Sequence, residues 1–395
     1  MEFITDKPQF TEDILIVPIQ SDLYSHWVNN QMSFFYIYSI ELRKEYILNF
    51  NHNDSICSTY LNEVLTDKRQ FVYNKHDLTG IEAKCLIWLQ SNEIKRHQFN
   101  TKVKFFHNKL RDTKNINDIV PIMLLIEYCQ DIKDEFILNY NKFTQWEALR
   151  QYSELQSNLS VIEQNGLFTS SGFEHSEYHL YTLTGRPSNH FNNINYAALN
   201  KDDGSRDRFI SRFGANGFLI EFDLRAFHIY LLSNLVKYTW PEPDIYAYFQ
   251  TLYGNNVSSK EETFRQIYGG IDQKYSHIEF FQMIDKLTVY LYTEYELGQL
   301  KTFLFDRNFN ISNLNKLKVF NYLLQSYETE FNASLISKLN DYLYSRHGKL
   351  ILYTYDSFLI DFCKDDGREC LIGLKNIFGN IPFRIKKGQN YGEMC

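Results

Sequence analysis

The chain has 395 residues, of which 44% are hydrophobic and 16% aromatic, enough for two or three folded cores and incompatible with a disordered chain. Its formal net charge of -7 excludes a nonspecific nucleic-acid coat, which needs a basic surface, while leaving room for an enzyme with one basic cleft. Cys57, Cys85, Cys129, Cys363, Cys370 and Cys395 show no CxxC pair and no regular spacing, so neither a zinc site nor a disulfide framework is expected and a reducing, intracellular compartment fits best.

In chain order, the start "MEFITDKPQFTEDILIV" lacks a basic segment followed by an apolar one, and no run reaches about 18 apolar residues, so neither secretion nor membrane insertion is expected. "DILIVPIQ" from Asp13, "SFFYIYSIELRKEYILNF" from Ser33 and "FVYN" from Phe71 predict strands of a small α+β region. From about Ile119 to Asn165 apolar residues recur at three- and four-residue steps, which predicts helix, with Gly166 as the stop. A strand over Phe218 to Phe222 ends on Asp223. Helices follow over Ala226 to Leu235 and His277 to Leu343, broken by a loop near Asp306 to Asn313, and strands return at Leu350 to Phe362 and Ile381 to Ile385.

Three segments carry chemistry. Asp223 closes a strand and so can face a cleft while the strand stays packed. Lys260, Phe264 and Tyr268 fall four residues apart in "SSKEETFRQIYGG", which sets a cation and two rings along one helix face, suited to a phosphate and a base. Asp356 stands between "LILYTY" and "SFLIDF". Taken singly, each aspartate reads as a cap or turn residue, and the helix reads as amphipathic packing with a solvated lysine.

Taken together and in this order, Asp223, Lys260-x3-Phe264-x3-Tyr268-Gly269 and Tyr355-Asp356-Ser357 resemble motifs A, B and C of family A DNA polymerases. "VIEQNGL", "LTGRPSN" with Arg186, "FNNIN" with Asn192 and Asn193, "SRDRFISRFG", "NYLLQ" with Asn321 and Gln325, and "IPFRIKKGQNYGEM" are similar to the flanking elements of that family. The resemblance spans Trp146 to Cys395. It implies an α+β right-hand polymerase: an antiparallel-sheet palm, helical fingers and a reduced or missing thumb, with a small α+β N-terminal domain. The expected divisions are 1–115 for that domain, 116–170 for a helical thumb-like connection, and 171–395 for palm and fingers, the fingers at about 236–300.

The activity so implied is template-directed extension of a primer 3′ end with dNTPs, with two Mg²⁺ ions (or Mn²⁺) held by Asp223, Asp356 and the Leu224 carbonyl. Lys260 would neutralise triphosphate charge, Phe264 bear on the incoming sugar and base, and Tyr268 on the nascent pair. Arg186, Asn192, Asn193, Asn321, Gln325 and Tyr355 would face primer-template DNA. His228 stands where the family has a glutamate that blocks a ribose 2′ hydroxyl. Tyr246 replaces a triphosphate-contacting histidine and Asn256 replaces an arginine, which shifts triphosphate binding onto Lys260 and Arg265.

Ser357 replaces a glutamate and is the RNA-polymerase-like form, so a single-subunit RNA polymerase or primase-like enzyme stays an alternative, as does an inactive polymerase-like nucleic-acid-binding subunit. Only 168–182 separates "IEQNGL" from "LTGRPSN", hence the reduced thumb. "QFVYNKHDLTGI" faintly resembles an exonuclease strand, but no Asp-x-Glu strand precedes it, so proofreading and processivity would come from separate subunits. A phage or similar replicon, working in the cytoplasm of a bacterial host, is the expected source.

Overall fold

The computed structural model describes residues 1–5, 8–22, 26–53, 65–66, 69–72, 86–88, 115–140, 146–180, 182–200, 203–254, 257–309 and 311–394. Asn256 and the 73–81 part of the exonuclease-like stretch lie outside them. The chain divides into two units, Met1–Gln164 and Asn165–Cys395.

In the first unit, β1 (Ile14–Gln20), β2 (Met32–Ser39) and β3 (Lys44–Asn49) form an antiparallel meander, and β4 (Gln70–Val72) and β5 (Leu86–Trp88) add in parallel beside β1. Nearly every residue of β1 and β2 is buried, because the sheet is covered on both faces and its strands need continuous apolar runs. Helix α1 (Ile122–Tyr140) covers one face with Leu125, Cys129, Ile132 and Phe136, spaced three or four apart, against Val17, Phe34, Tyr36 and Phe71. The expected 116–170 connection is therefore not separate: its first helix completes the N-terminal core, which is where its apolar stripe finds cover. Helix α2 (Trp146–Asn165) follows. Three carboxylates of this unit have structural partners: Asp13 pairs with Arg69 at 2.6 Å and accepts from the Tyr140 hydroxyl, Glu12 accepts from Ser39 at 2.6 Å, and Glu45 pairs with Lys133.

The second unit begins at the predicted stop, where Gly166 takes a left-handed φ of 62°. A hairpin of β6 (Ser188–Phe191) and β7 (Ile194–Asn195) precedes β8 (Gly217–Leu224). Helices α3 (Phe227–Val236), α4 (Ile245–Tyr253), α5 (Ser259–Gly269), α6 (Glu279–Glu296) and α7 (Lys316–Leu343) come next. Strands β9 (Lys349–Thr354) and β10 (Ser357–Cys363), helix α8 (Gly367–Phe378) and strand β11 (Phe383–Gly388) close the chain. The sheet is antiparallel with the order β9-β10-β8-β11.

Alternation along β8 sorts its two faces. Ile220, Phe222 and Leu224 point toward α8, where Phe378 stacks on Phe222 at 4.8 Å, and Gly373 lets that helix approach Tyr342 more closely than any Cβ would allow. Leu219, Glu221 and Asp223 share the opposite face with Ser357, Leu359 and Asp361 of β10 and with Lys386 and Arg384 of β11, as the register dictates. An apolar patch of Leu219, Leu359, Ile351 and Leu352 with Tyr196, Phe209 and Tyr391 anchors this second face. Asp361, fully buried beside it, accepts from Ser211 at 2.7 Å and pairs with Arg212 at 2.8 Å. Among the described residues no helix is long and apolar enough to cross a membrane.

Candidate active site

Two carboxylates meet at one end of this sheet. Asp223 lies opposite Ser357 in the β8–β10 ladder, and the Leu224 N–H donates to the Asp356 carbonyl at 2.7 Å, so the two aspartates belong to adjacent positions at the end of that ladder. Asp356 and Tyr355 form the two-residue turn between β9 and β10. Tyr355 holds a left-handed φ of 60°, uncommon for an aromatic residue, and its carbonyl accepts from the Asn332 amide at 2.7 Å while its ring lies 3.7 Å from the Arg186 guanidinium carbon. These contacts hold a strained turn in the one shape that presents Asp356.

Asp356 is open to solvent although protein crowds most of its surroundings, as expected on a concave surface. Burial, Glu328 and Asp223 push its carboxyl above the usual 3.8. Asp223 moves the other way: burial alone would raise it, but Lys386 at 2.7 Å and Arg384 at 3.0 Å hold it below the usual range. Both cations take Oδ2, and among the described residues Oδ1 carries no partner.

Lys386 also reaches Glu221 at 2.6 Å, and Glu221, almost fully buried, accepts from the Ser357 hydroxyl at 2.7 Å and from Tyr391 at 3.2 Å. The site is thus less lean than the Tyr355-Asp356-Ser357 motif implies, since a carboxylate from the neighbouring strand lies against the serine. Lys386 of β11 is turned inward and is only 12% exposed. Lys386→Met is expected to destabilise the protein by about 3 kcal/mol or more, since it strands Glu221 as an unpaired buried charge, and the double variant Glu221→Gln/Lys386→Met to recover most of the loss. Urea denaturation of both variants measures this.

Helix α5 is started by the Ser258 cap and by Glu261 and Glu262 in its first turn, and its spacing performs as expected: the Phe264 and Tyr268 rings stack 5.7 Å apart at 5°. Lys260, a further turn back, is exposed and carries no partner among the described residues. Arg265 lies off this face and is held by Glu262 at 2.7 Å and Asp272 at 2.5 Å, so the structure does not bring it to the lysine and the two rings. Asp244 caps α4 through the Tyr246 and Ala247 amides, and the buried Tyr246 hydroxyl has no hydrogen bond among the described residues. Burial, together with the Asp244 and Asp356 charges, pushes that hydroxyl up to about 12 despite Arg225.

His228 touches the Tyr268 hydroxyl through Nδ1. The Asn321 amide donates to the Tyr268 carbonyl at 3.2 Å, while Gln325, one turn on, has no side-chain partner among the described residues. Asn192 and Asn193, with φ of 47° and 65°, are the two central residues of the β6–β7 turn, a geometry that favours asparagine whatever else the pair does. Sequence reasoning missed Glu328 of α7, whose carboxylate lies 2.8 Å from Arg186 and 3.2 Å from His228. Among the described residues no three His, Cys, Asp or Glu side chains are grouped to hold a metal by themselves.

The sequence matches no family model and no curated protein. Among solved structures, the chain is similar to the POL domain of Pol1 from M. smegmatis, determined in complex with DNA primer-template and dNTP, with a TM-score of 0.65 and 9% sequence identity over 98% of this chain and 97% of that one. The likeness is one of fold: a mixed α+β polymerase-domain architecture followed nearly end to end.

Proposed function

We propose that the protein is a template-directed DNA polymerase that extends a primer 3′ end with dNTPs. The observation that carries this reading is that Asp223 and Asp356 lie at the same end of an antiparallel sheet, Asp223 opposite Ser357 and the next residue, Leu224, bonded to Asp356, with the Phe264–Tyr268 stack joined to His228 beside them. Two Mg²⁺ ions, or Mn²⁺, fit the donor set. Among the described residues one Asp223 oxygen carries no partner, and burial together with the Glu328 and Asp223 charges raises the Asp356 carboxyl, which a divalent cation would relieve. Asp223, Asp356 and the Leu224 carbonyl would hold them, with water and substrate phosphate completing a set of oxygen ligands. When bound, such ions increase the nucleophilicity of the primer 3′ oxygen and stabilise the leaving pyrophosphate.

The protein's own groups do the rest. Lys260 faces the growing charge of the triphosphate, with the unpartnered Tyr246 hydroxyl as a further donor. Phe264 and Tyr268 form the stacking surface for sugar and base, and Arg186, Asn321, Gln325 and Tyr355 contact the primer-template, Arg186 and the amides in a minor groove whose readout tolerates every Watson–Crick pair. The helices from 236 to 300 act as fingers and the sheet as palm. His228 restricts the sugar 2′ position. Ser357 is the RNA-polymerase-like form and its hydroxyl donates to the buried, Lys386-paired Glu221, while the bulk of His228 at the sugar position favours the DNA reading. A reduced thumb would leave duplex retention to a partner subunit, and proofreading to another.

Primer extension on a DNA template, with dNTPs or rNTPs and with Asp223→Ala as control, tests the proposal. Extension with dNTPs that is lost in the variant supports it. Primer-independent synthesis from rNTPs would replace it by RNA synthesis, and duplex binding without extension by a scaffold role.

A further inference from the structure

One buried carboxylate joins the residues that would select the sugar to the residue that would hold the primer end. Glu328 is 2% exposed and comes from the middle of α7, a stretch in which Ser326, Tyr327, Thr329 and Glu330 are buried too. Its two oxygens are divided: Oε1 lies 3.2 Å from His228 Nε2 and Oε2 2.8 Å from Arg186 Nε. His228 passes the connection on to the Tyr268 hydroxyl through its other ring nitrogen. Arg186 passes it on to Tyr355, the residue before Asp356.

We propose that Glu328 is a positioning residue that couples sugar selection at His228 and Tyr268 to the grip of Arg186 on the primer terminus; the inference rests on the polymerase reading. A buried carboxylate needs its polar partners, because leaving it unpaired is costly, so neither His228 nor Arg186 can move without a penalty felt at the other. Both contacts stand at ion-pair distance without hydrogen-bond alignment, and such contacts in an unliganded site tighten when the substrate completes it. Correct sugar and correct primer end are then sensed through one charge.

The test is single-turnover incorporation of a dNTP and of the matching rNTP by wild type, Glu328→Gln, His228→Ala and the double variant, on matched and mismatched primer ends. Glu328→Gln is expected to reduce dNTP-over-rNTP discrimination about tenfold, to reduce discrimination against the mismatched end as well, and to add little when His228 is already alanine. A merely structural residue would lower all rates together and leave the ratios alone. Arg186→Gln/Glu328→Gln, which removes both charges of the pair, serves if the single variant fails to fold, and the same fall in sugar discrimination is expected of it. Ratios within twofold of wild type in a folded variant overturn the proposal, as does full additivity with His228→Ala. A wild type that extends no primer overturns the polymerase reading and this inference with it, whereas extension by wild type with unchanged ratios in the variants overturns the inference alone.

Discussion

Asp356→Asn is expected to reduce primer extension by about a thousandfold or more while raising the melting temperature. The two effects have one cause. Burial and the negative charges of Glu328 and Asp223 raise the Asp356 carboxyl above 3.8 in the folded protein, so the fold disfavours the ionised form that the chemistry requires. The penalty is absent below the unfolded value of about 3.8, grows as pH rises through the interval up to the folded value, and stays constant above it. The stability advantage of Asp356→Asn is therefore expected to be full at pH 7 and to shrink toward zero as the melts are repeated down to about pH 3.5. A turn or capping aspartate predicts the opposite sign, because removing it costs stability. Loss of stability in the variant at pH 7 would return Asp356 to that bland role.

Much of the site was legible because its signals are local. A strand that ends on aspartate, a helix with Lys260, Phe264 and Tyr268 one turn apart, and an aspartate between two apolar strands need only the two periodicities of secondary structure to be noticed. The strands 14–20, 32–39 and 44–49, the helix from Phe227 and the hairpin at Tyr355 were read in the same way, and lie within a few residues of where they were expected. What escaped was pairing at long range. Glu221 resembles an outward-facing strand residue until Lys386, brought beside it by β11, and Ser357, brought by β10, neutralise and bind it. Glu328 sits in a polar run of α7 that reads as a solvated helix face, yet packing on several sides buries the whole turn, and its partners Arg186 and His228 come from distant parts of the chain. The arginines of "SRDRFISRFG" likewise find partners within the fold, Arg206 bonding the Leu199 carbonyl, Arg208 pairing with Glu174 and Arg212 with Asp361. Charge in a sequence announces a partner, and the fold decides whether the partner is inside.

Lys260→Ala supplies the second large effect and separates function from packing in the opposite way. Its ammonium is exposed and free of partners among the described residues, so its removal is expected to change stability by less than about 0.5 kcal/mol. On the polymerase reading that same ammonium neutralises charge that builds on the triphosphate during transfer, and its loss is expected to lower kcat/KM for dNTP by about a hundredfold to a thousandfold, with duplex affinity unchanged. Lys260→Arg keeps the charge and is expected to recover part of the loss. Arg265→Ala is the matched control: held by Glu262 and Asp272, that guanidinium already has its counter-charges, so dNTP use is expected to fall less than about threefold. The contrast decides which cation of α5 serves the nucleotide. Steady-state extension with a titrated dNTP, alongside urea melts of the same preparations, measures both axes. Equal losses in the two variants would move the triphosphate off the Lys260 face, and a stability loss in Lys260→Ala would reveal a structural contact in place of a catalytic one.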